Sequence, residues 1–348
     1  MVSYRYTRKA CYRKKQMVIK IKNRMIITRT PFRVTLTGGG TDLKSYYKFN
    51  GPGMVINAAI NKYVYIIINK RFDRSIRLSY SKTEIVDSVD KIQHHAVREA
   101  LKLVGIEGGV EIISIADIPS GTGLGSSASF LVGLLNAMHA WKGEVVSQED
   151  LAKEAIHIKT DILREAEGKQ DEYIAAYGGI KLMQFNSDES VEIKPIIMSE
   201  ETLDILKNHL MLLYTNKNRN ASEILNKQSS SVSQHTREYD KMKEITAELY
   251  QNLTKGKWEE TGRLLHQNWL LKKSLEIDIS DQKIETWYNK AIENGAAGGK
   301  ILGAGGGGFM LLFAPPDKQK NIKDSLPELI PEDFEFEYLG SRIIFVGD

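Results

Sequence analysis

Three glycine-rich segments, far apart in the chain, hold most of the chemistry that residue types and spacing reveal. The middle one, Pro119-Ser-Gly-Thr-Gly-Leu-Gly-Ser-Ser-Ala128, joins a run that reads as a strand to a run that reads as a helix. Alternating glycines let successive main-chain N–H groups turn onto one anion, and the positive end of the following helix adds to the attraction. Ser126 and Ser127 open that helix, where their hydroxyls suit a phosphate oxygen or Mg2+. A plain turn explains one or two such glycines, but not three in alternation followed by paired serines. The segment is no Walker-type P-loop, because no Lys-Ser/Thr follows a glycine at the required spacing. Gly303-Ala-Gly305-Gly306-Gly-Gly308 satisfies G-x-G-x-x-G but leads into the strand-like Phe309–Phe313, and a dinucleotide fingerprint needs a helix there.

The elements that must position these segments follow from periodicity. Residues 25–37 read as a strand, a turn marked by Pro31 and a second alternating strand running into Gly38-Gly39-Gly40. Residues 64–69, 76–78 and 110–115 read as strands, and 90–104 as a helix closed by Gly105. A helix rich in Ala and Leu is predicted over 126–141. Ser147 with Asp150 is a capping signature for the next, extending to about residue 167. Strands at 179–185 and 191–197 precede a boundary near 195–205. Beyond it come a strand at 210–214, helices at 221–247, 257–274 and 281–294, and closing strands at 309–313 and 342–346. The polar stretch 226–240 is an alternative candidate for a mobile lid. Strands and helices alternate without a repeat, which predicts an α+β fold in two lobes, residues 25–200 and 201–348.

Composition excludes several classes. An apolar share of 42% rules out disorder, and no apolar run reaches the ~18 residues of a membrane span. With Cys11 as the sole cysteine, neither an internal disulfide nor a cysteine metal site is available. The seven histidines show no zinc-type spacing, and no G-x-S-x-G elbow supports a hydrolase. The net charge is +4, yet residues 1–24 contain nine Lys or Arg and no acid, so taking nine from +4 leaves −5 for residues 25–348. The basic balance therefore belongs to an N-terminal extension, expected to be unstructured or to precede a working start at Met25. The expectation is a cytoplasmic chain with neither a nucleic-acid nor a membrane partner, as a monomer or homodimer.

The segment at 119–128 resembles the phosphate-binding motif P-x-G-x-G-L-G-S-S-A of the GHMP kinases, a family that includes galactokinase, homoserine kinase and mevalonate kinase. Arg29-Thr-Pro-Phe-Arg-Val-Thr-Leu-Thr-Gly-Gly-Gly-Thr-Asp42 is similar to the family's first motif, and Lys300-Ile-Leu-Gly-Ala-Gly-Gly-Gly-Gly308 to its third. The three stand in family order across residues 29–308. Gly-Gly-Gly-Thr-Asp, Gly168-Lys-Gln-Asp-Glu-Tyr173 with Ala175-Ala-Tyr-Gly-Gly179, and Tyr214-Thr-Asn with Arg219 further resemble the D-glycero-D-manno-heptose 7-phosphate kinases. Galactokinases carry Glu-His where this chain has Gly39-Gly40.

The resemblance implies a ribosomal-protein-like N-terminal lobe, a ferredoxin-like C-terminal lobe, and ATP meeting a small sugar phosphate in the cleft between them. It implies Asp171 as the base on an anomeric hydroxyl and Arg33 as the cation steadying developing charge. Pro119, Gly121, Gly123, Leu124, Gly125, Ser126, Ser127 and Ala128 are then the ATP site. Gly38, Gly39, Gly40, Thr41, Asp42, Lys169, Arg219, Gly305 and Gly306 are the substrate candidates, with Lys169 and Arg219 offered to a distal phosphate on charge alone. Two departures stand out. The family often places a Mg2+-ligating Glu about twelve residues before the catalytic Asp, where this chain has Lys159. That leaves Ser127 for the metal, with Asp161 or Glu165 as substitutes. Leu302 also replaces a usual Thr or Ser. The alternatives are a kinase for another sugar such as fucose, or a non-catalytic relative that binds ATP or sugar.

Overall fold

Strand β1 (Ile26–Thr37) is continuous rather than two strands about a turn. Pro31 sits beside a register irregularity against β2 (Gly53–Lys70), where the missing N–H costs no regular ladder bond. The computed structural model describes residues 24–217 and 221–347. Apart from Arg24, the basic extension lies outside the described residues, as does Arg219.

β2 begins well before the run at 64–69, because residues 53–58 already pair on one side and 56–63 on the other, with little polar alternation. Residues 56–68 of it pair with β1. On the other side its first part pairs with β6 (Ile180–Phe185) and its second with β5 (Val110–Ala116). With β3 (Ile76–Ser79), β4 (Thr83–Val86) and β7 (Val191–Pro195), these strands make one sheet. A second, antiparallel sheet has the order β11 (Ile330–Glu332), β8 (Leu210–Tyr214), β10 (Phe309–Phe313), β9 (Gly298–Ile301). The last strand, β12 (Arg342–Val346), returns to the first sheet and pairs with β1.

The helix Ser126–Lys142 lies on β1 and β2 with Leu131, Leu135 and Met138 buried. Gly133 is the close approach. A Cβ there would come within 2.6 Å of Thr30 Oγ1, and the Gly133 carbonyl accepts from Thr28 Oγ1 at 2.9 Å. The helices Thr236–Thr254 and Thr261–Leu275 pack on each other, the first against β2 and the second against β9, and so join the two sheets. The stretch 226–240, read as helix with a lid as the alternative, is largely helical, with Gln228, Val232 and Tyr239 buried.

The helix capped by Ser147 stops earlier than predicted. Ser147 Oγ accepts from Asp150 N at 3.1 Å, but Gln148–Ile156 then widens into the π-helical turn His157–Ile162. Thr160 Oγ1 bonds back to the Ile156 carbonyl at 2.9 Å within it. An extra residue in the turn changes the helical register from there on.

Candidate active site

Arg33 enters the cleft from β1 with only 5% of its surface exposed. Its guanidinium grips Asp171 with two parallel bonds, Nε to Oδ1 at 2.7 Å and Nη2 to Oδ2 at 2.5 Å. Nη1 donates to the Gly123 carbonyl at 2.5 Å, and the Arg33 N–H to the Leu124 carbonyl at 3.0 Å. Asp171 stands in the first turn of the helix Gln170–Tyr177, where the helix dipole favours a negative charge. Each carboxylate oxygen retains a lone-pair direction after the bond to Arg33, so a substrate hydroxyl can still bind there.

The segment at 119–128 wraps this pair. Gly121, Gly123 and Gly125 have φ of +79°, +82° and +78°, and all three line the cleft with Ser126, Ser127 and Ala128. A Cβ on Gly125 would lie 3.2 Å from Arg33 Cγ and 3.3 Å from Asp171 Oδ2. A phosphate held by this loop is therefore next to the Arg33–Asp171 pair. No side chain caps the Ser126 helix, which leaves its first N–H groups for a ligand. Pro119 and Leu124 shape the loop without lining the cleft: their carbonyls accept from Thr122 Oγ1 and from Arg33 N. The third glycine segment docks on the second. A Cβ on Gly123 would meet the Leu302 carbonyl at 2.6 Å, and Phe309 N donates to the Thr122 carbonyl at 3.1 Å. Gly305 lines the cleft, whereas Gly306 N is used by the Ile279 carbonyl at 2.8 Å.

At the other side of the pair, Gly39, Gly40 and Asp42 line the cleft. Gly38 and Thr41 fold the loop instead: Gly38 N donates to Asn268 Oδ1 at 3.1 Å, and the Thr41 hydroxyl accepts from Met54 N at 3.0 Å. Asp42 is almost wholly buried and accepts from Gly40 N at 2.9 Å and from Gln170 Nε2 at 3.0 Å. Burial pushes its carboxyl up, against the pull of those N–H groups.

Lys159 is buried and bonded to Glu167 and, at 2.9 Å, to Glu172. Burial alone would push this ammonium down; the two carboxylates, Glu172 foremost, hold it above the ordinary lysine value. Neither Asp161 nor Glu165 lines the cleft. Asp161 is turned to His157 at 2.8 Å with its side chain 58% exposed, so the π-helical turn does not bring it inward. The acid that does line the cleft beside Lys159 is Glu167, which the sequence reading missed. Lys169 is likewise absent from the lining; its ammonium pairs with Glu189 and lies 5.0 Å from the centre of the Tyr47 ring.

Two further lysines were missed, Lys272 and Lys300, both about 4% exposed or less and both in the lining. Burial pushes Lys272 down to about 8 and Lys300 to about 7, the neighbouring cations adding to the fall at Lys300. Lys272 had a signal. It recurs with Leu265, Asn268, Trp269 and Leu275 on the inward stripe of its helix, where a charged residue needs a reason.

Comparison with known proteins agrees with this geometry. Residues 88–179 match the family described as GHMP kinases N terminal domain, and residues 249–332 match GHMP kinases C terminal. The D-glycero-alpha-D-manno-heptose 7-phosphate kinase of Campylobacter jejuni is 29% identical over 91% of this chain and 98% of its own length. The L-fucokinase/L-fucose-1-P guanylyltransferase of Bacteroides fragilis is 26% identical over 87% of this chain but only 36% of its own length. A crystal structure titled as a D-glycero-D-manno-heptose 1-phosphate kinase from Bacteroides thetaiotaomicron has the same fold, with a TM-score of 0.75 over 93% of this chain, all of that one, and 23% identity. The two family halves fall in chain order on the two lobes that close this cleft, and the chain belongs to the GHMP kinases, ATP-dependent phosphotransferases.

Proposed function

We propose that this enzyme transfers the γ-phosphoryl group of ATP to the anomeric hydroxyl of D-glycero-D-manno-heptose 7-phosphate, giving the 1,7-bisphosphate. The observation that carries the reading is the two-pronged Arg33–Asp171 pair, packed between the uncapped glycine loop and the Gly39–Gly40–Asp42 wall. Phosphoryl transfer asks a protein chiefly for position and charge, plus relief of the nucleophile's proton. Asp171 accepts that proton and Arg33 steadies the charge on the hydroxyl oxygen as it attacks. The N–H groups of residues 121–128 hold the phosphates. Gly39 and Gly40 let the sugar approach the backbone, while Asp42 accepts from its hydroxyls. The likeness to the Campylobacter jejuni enzyme over nearly its full length supports the heptose as acceptor.

Among the described residues no group of three or more acids, histidines or cysteines forms a metal cage. The donor set fits Mg2+ brought in on the nucleotide, an ion that keeps most of its waters and takes few protein oxygens. Ser127 would hold it; Glu167 also lines the cleft but is already shared with Lys159. When bound, the ion neutralises phosphate charge.

Such a product is an early intermediate toward nucleotide-activated heptose for surface polysaccharide. Among the described residues no helix is long and apolar enough to cross a membrane. An ADP-release assay over a panel of sugars and sugar phosphates tests the assignment. Turnover is expected with the heptose 7-phosphate. Preference for L-fucose would move the enzyme toward the fucokinase relatives, and nucleotide binding without turnover of any sugar would make it a binding protein.

A further inference from the structure

Lys272 and Lys300 are the cations in the cleft that the assigned chemistry leaves unused. Lys272 donates to Gln228 Oε1 at 2.9 Å and to the Gly39 carbonyl at 3.3 Å, both neutral acceptors. The Lys300 side chain makes no hydrogen bond and no ion pair with any described residue, although the residue is 97% buried. Its Nζ would lie 4.0 Å from a Cβ on Gly39, and that of Lys272 3.3 Å from one on Gly40, so both face the same short stretch of loop. The other charges on this part of the lining do not answer them. Arg33 is paired with Asp171, and Glu167 and Glu172 are both bonded to Lys159. Asp42 remains, one carboxylate for two ammoniums, and its oxygens already accept three N–H bonds from Gly40 and Gln170. Buried charges are ordinarily paired. Here the Lys300 side chain is left without a partner, on a wall open to a ligand.

Position says which ligand. Arg33 and Thr35 point to the same face of β1, about 7 Å apart as alternate residues of a strand. Gly125 of the nucleotide loop packs at the Arg33 end. Gly39 packs at the other, its Cβ position 3.5 Å from Thr35 Cγ2 and 3.7 Å from Gln170 Nε2. The lysines thus stand at the Gly39–Gly40 end of this face, about 7 Å along β1 from the end at which Gly125 packs. We propose that Lys272 and Lys300 form an anion pocket for the phosphate ester already carried by the acceptor, so that the enzyme selects a phosphorylated sugar over the free one. The proposal rests on the sugar-phosphate reading of the site. It replaces Lys169, whose charge is spent on Glu189.

Calorimetry on the full chain, as wild type and as Lys272→Met and Lys300→Met, tests it with four probes: the heptose 7-phosphate, the free heptose, inorganic phosphate and a non-hydrolysable ATP analogue. A charge-assisted bond lost from each variant predicts a rise in Kd for the heptose 7-phosphate of about 10- to 150-fold. Affinities for free heptose and the ATP analogue stay within about twofold, and the retained nucleotide binding shows that the variants fold. Because burial has lowered both lysines, with Arg33, Asp42 and Asp171 the charged groups around them, the ester is bound with proton uptake at pH 8. That uptake is read from the buffer dependence of the heat and is smaller in Lys300→Met. Equal loss of the ATP analogue would assign the lysines to the nucleotide and overturn the proposal, as would unchanged binding of the ester. If no heptose phosphate binds or reacts, the substrate reading has failed by itself. The pocket then stands if inorganic phosphate binds the wild type and not Lys300→Met, and falls if it binds both or neither.

Discussion

Arg33 and Asp171 share both carboxylate oxygens, so changing either leaves its partner with an unanswered charge next to the glycine loop. Asp171→Asn keeps the shape and removes the proton acceptor. It should lower kcat by about 10²- to 10⁴-fold, the ordinary worth of a positioned acid or base. Binding of a non-hydrolysable ATP analogue, measured by calorimetry, should change little, because the loop holds the nucleotide through N–H groups. If kcat were unchanged, Asp171 would not be the base. Lys159 makes a stability prediction instead. Lys159→Met strands Glu167 and the buried Glu172, and loss of one partner from a buried ion pair costs ~3–5 kcal/mol. Burial already pushes Glu172 up, so without Lys159 it takes a proton in the folded state at a pH where the unfolded chain does not. The folded form is then favoured at low pH and loses that advantage as pH rises, so the deficit in denaturant melts should grow from pH 5 to pH 8. A flat deficit would mean that Glu172 is not left buried and charged. At this scale the sequence reads unevenly. Arg33, Asp42 and Asp171 are set in contiguous motifs; Lys300 opens one too and Lys272 lies on the inward stripe of its helix, but that these two and Glu167 line one cleft depends on how folding packs distant segments together.

Among the elements, the glycine loops show how far local patterns carry. Alternating glycines at 121, 123 and 125 announced a loop with positive φ, which the backbone adopts. That Gly123 abuts the Leu302 carbonyl of a segment nearly 180 residues away was beyond any local pattern. The two positions therefore differ in what alanine does. At Gly121 nothing lies within 4 Å of a new Cβ, leaving only the strain of left-handed backbone, ~1–2 kcal/mol. At Gly123 the same strain is joined by a contact of 2.6 Å with a main-chain oxygen. Gly123→Ala should lower the melting temperature and weaken ATP-analogue binding clearly more than Gly121→Ala; equal effects would argue against the docking of the two loops. The errors in element boundaries also have physical causes. Pro31 was read as a turn because a proline interrupts a ladder, yet at a register irregularity the ladder is already interrupted. The helix after Ser147 was drawn too long because a π-helical turn keeps helical composition while changing the register.

For the whole molecule, two lobes were legible from the alternation of strands and helices, while the return of β12 to the first sheet was not. β12, Arg342-Ile-Ile-Phe-Val346, reads as a short apolar strand, and nothing in its residues says which edge it joins. In the structure Ile26 pairs with Val346 and Gly347 N donates to the Met25 carbonyl at 2.7 Å. The first lobe is thus sealed by residues made more than 300 positions after its first strand. On the ribosome β1 pairs with β2 early and then keeps one edge open while the entire second lobe is synthesised, and an unpaired edge is a template for wrong partners. Stalled chains that lack residues 342–347 should be captured by chaperones and cleaved near β1, whereas chains extended far enough to free β12 should resist protease. The same seam puts the two ends of the described chain side by side. A short linker across it, with new ends cut in an exposed loop, would hand β12 to β1 at the start of synthesis and shorten the time that edge stays open.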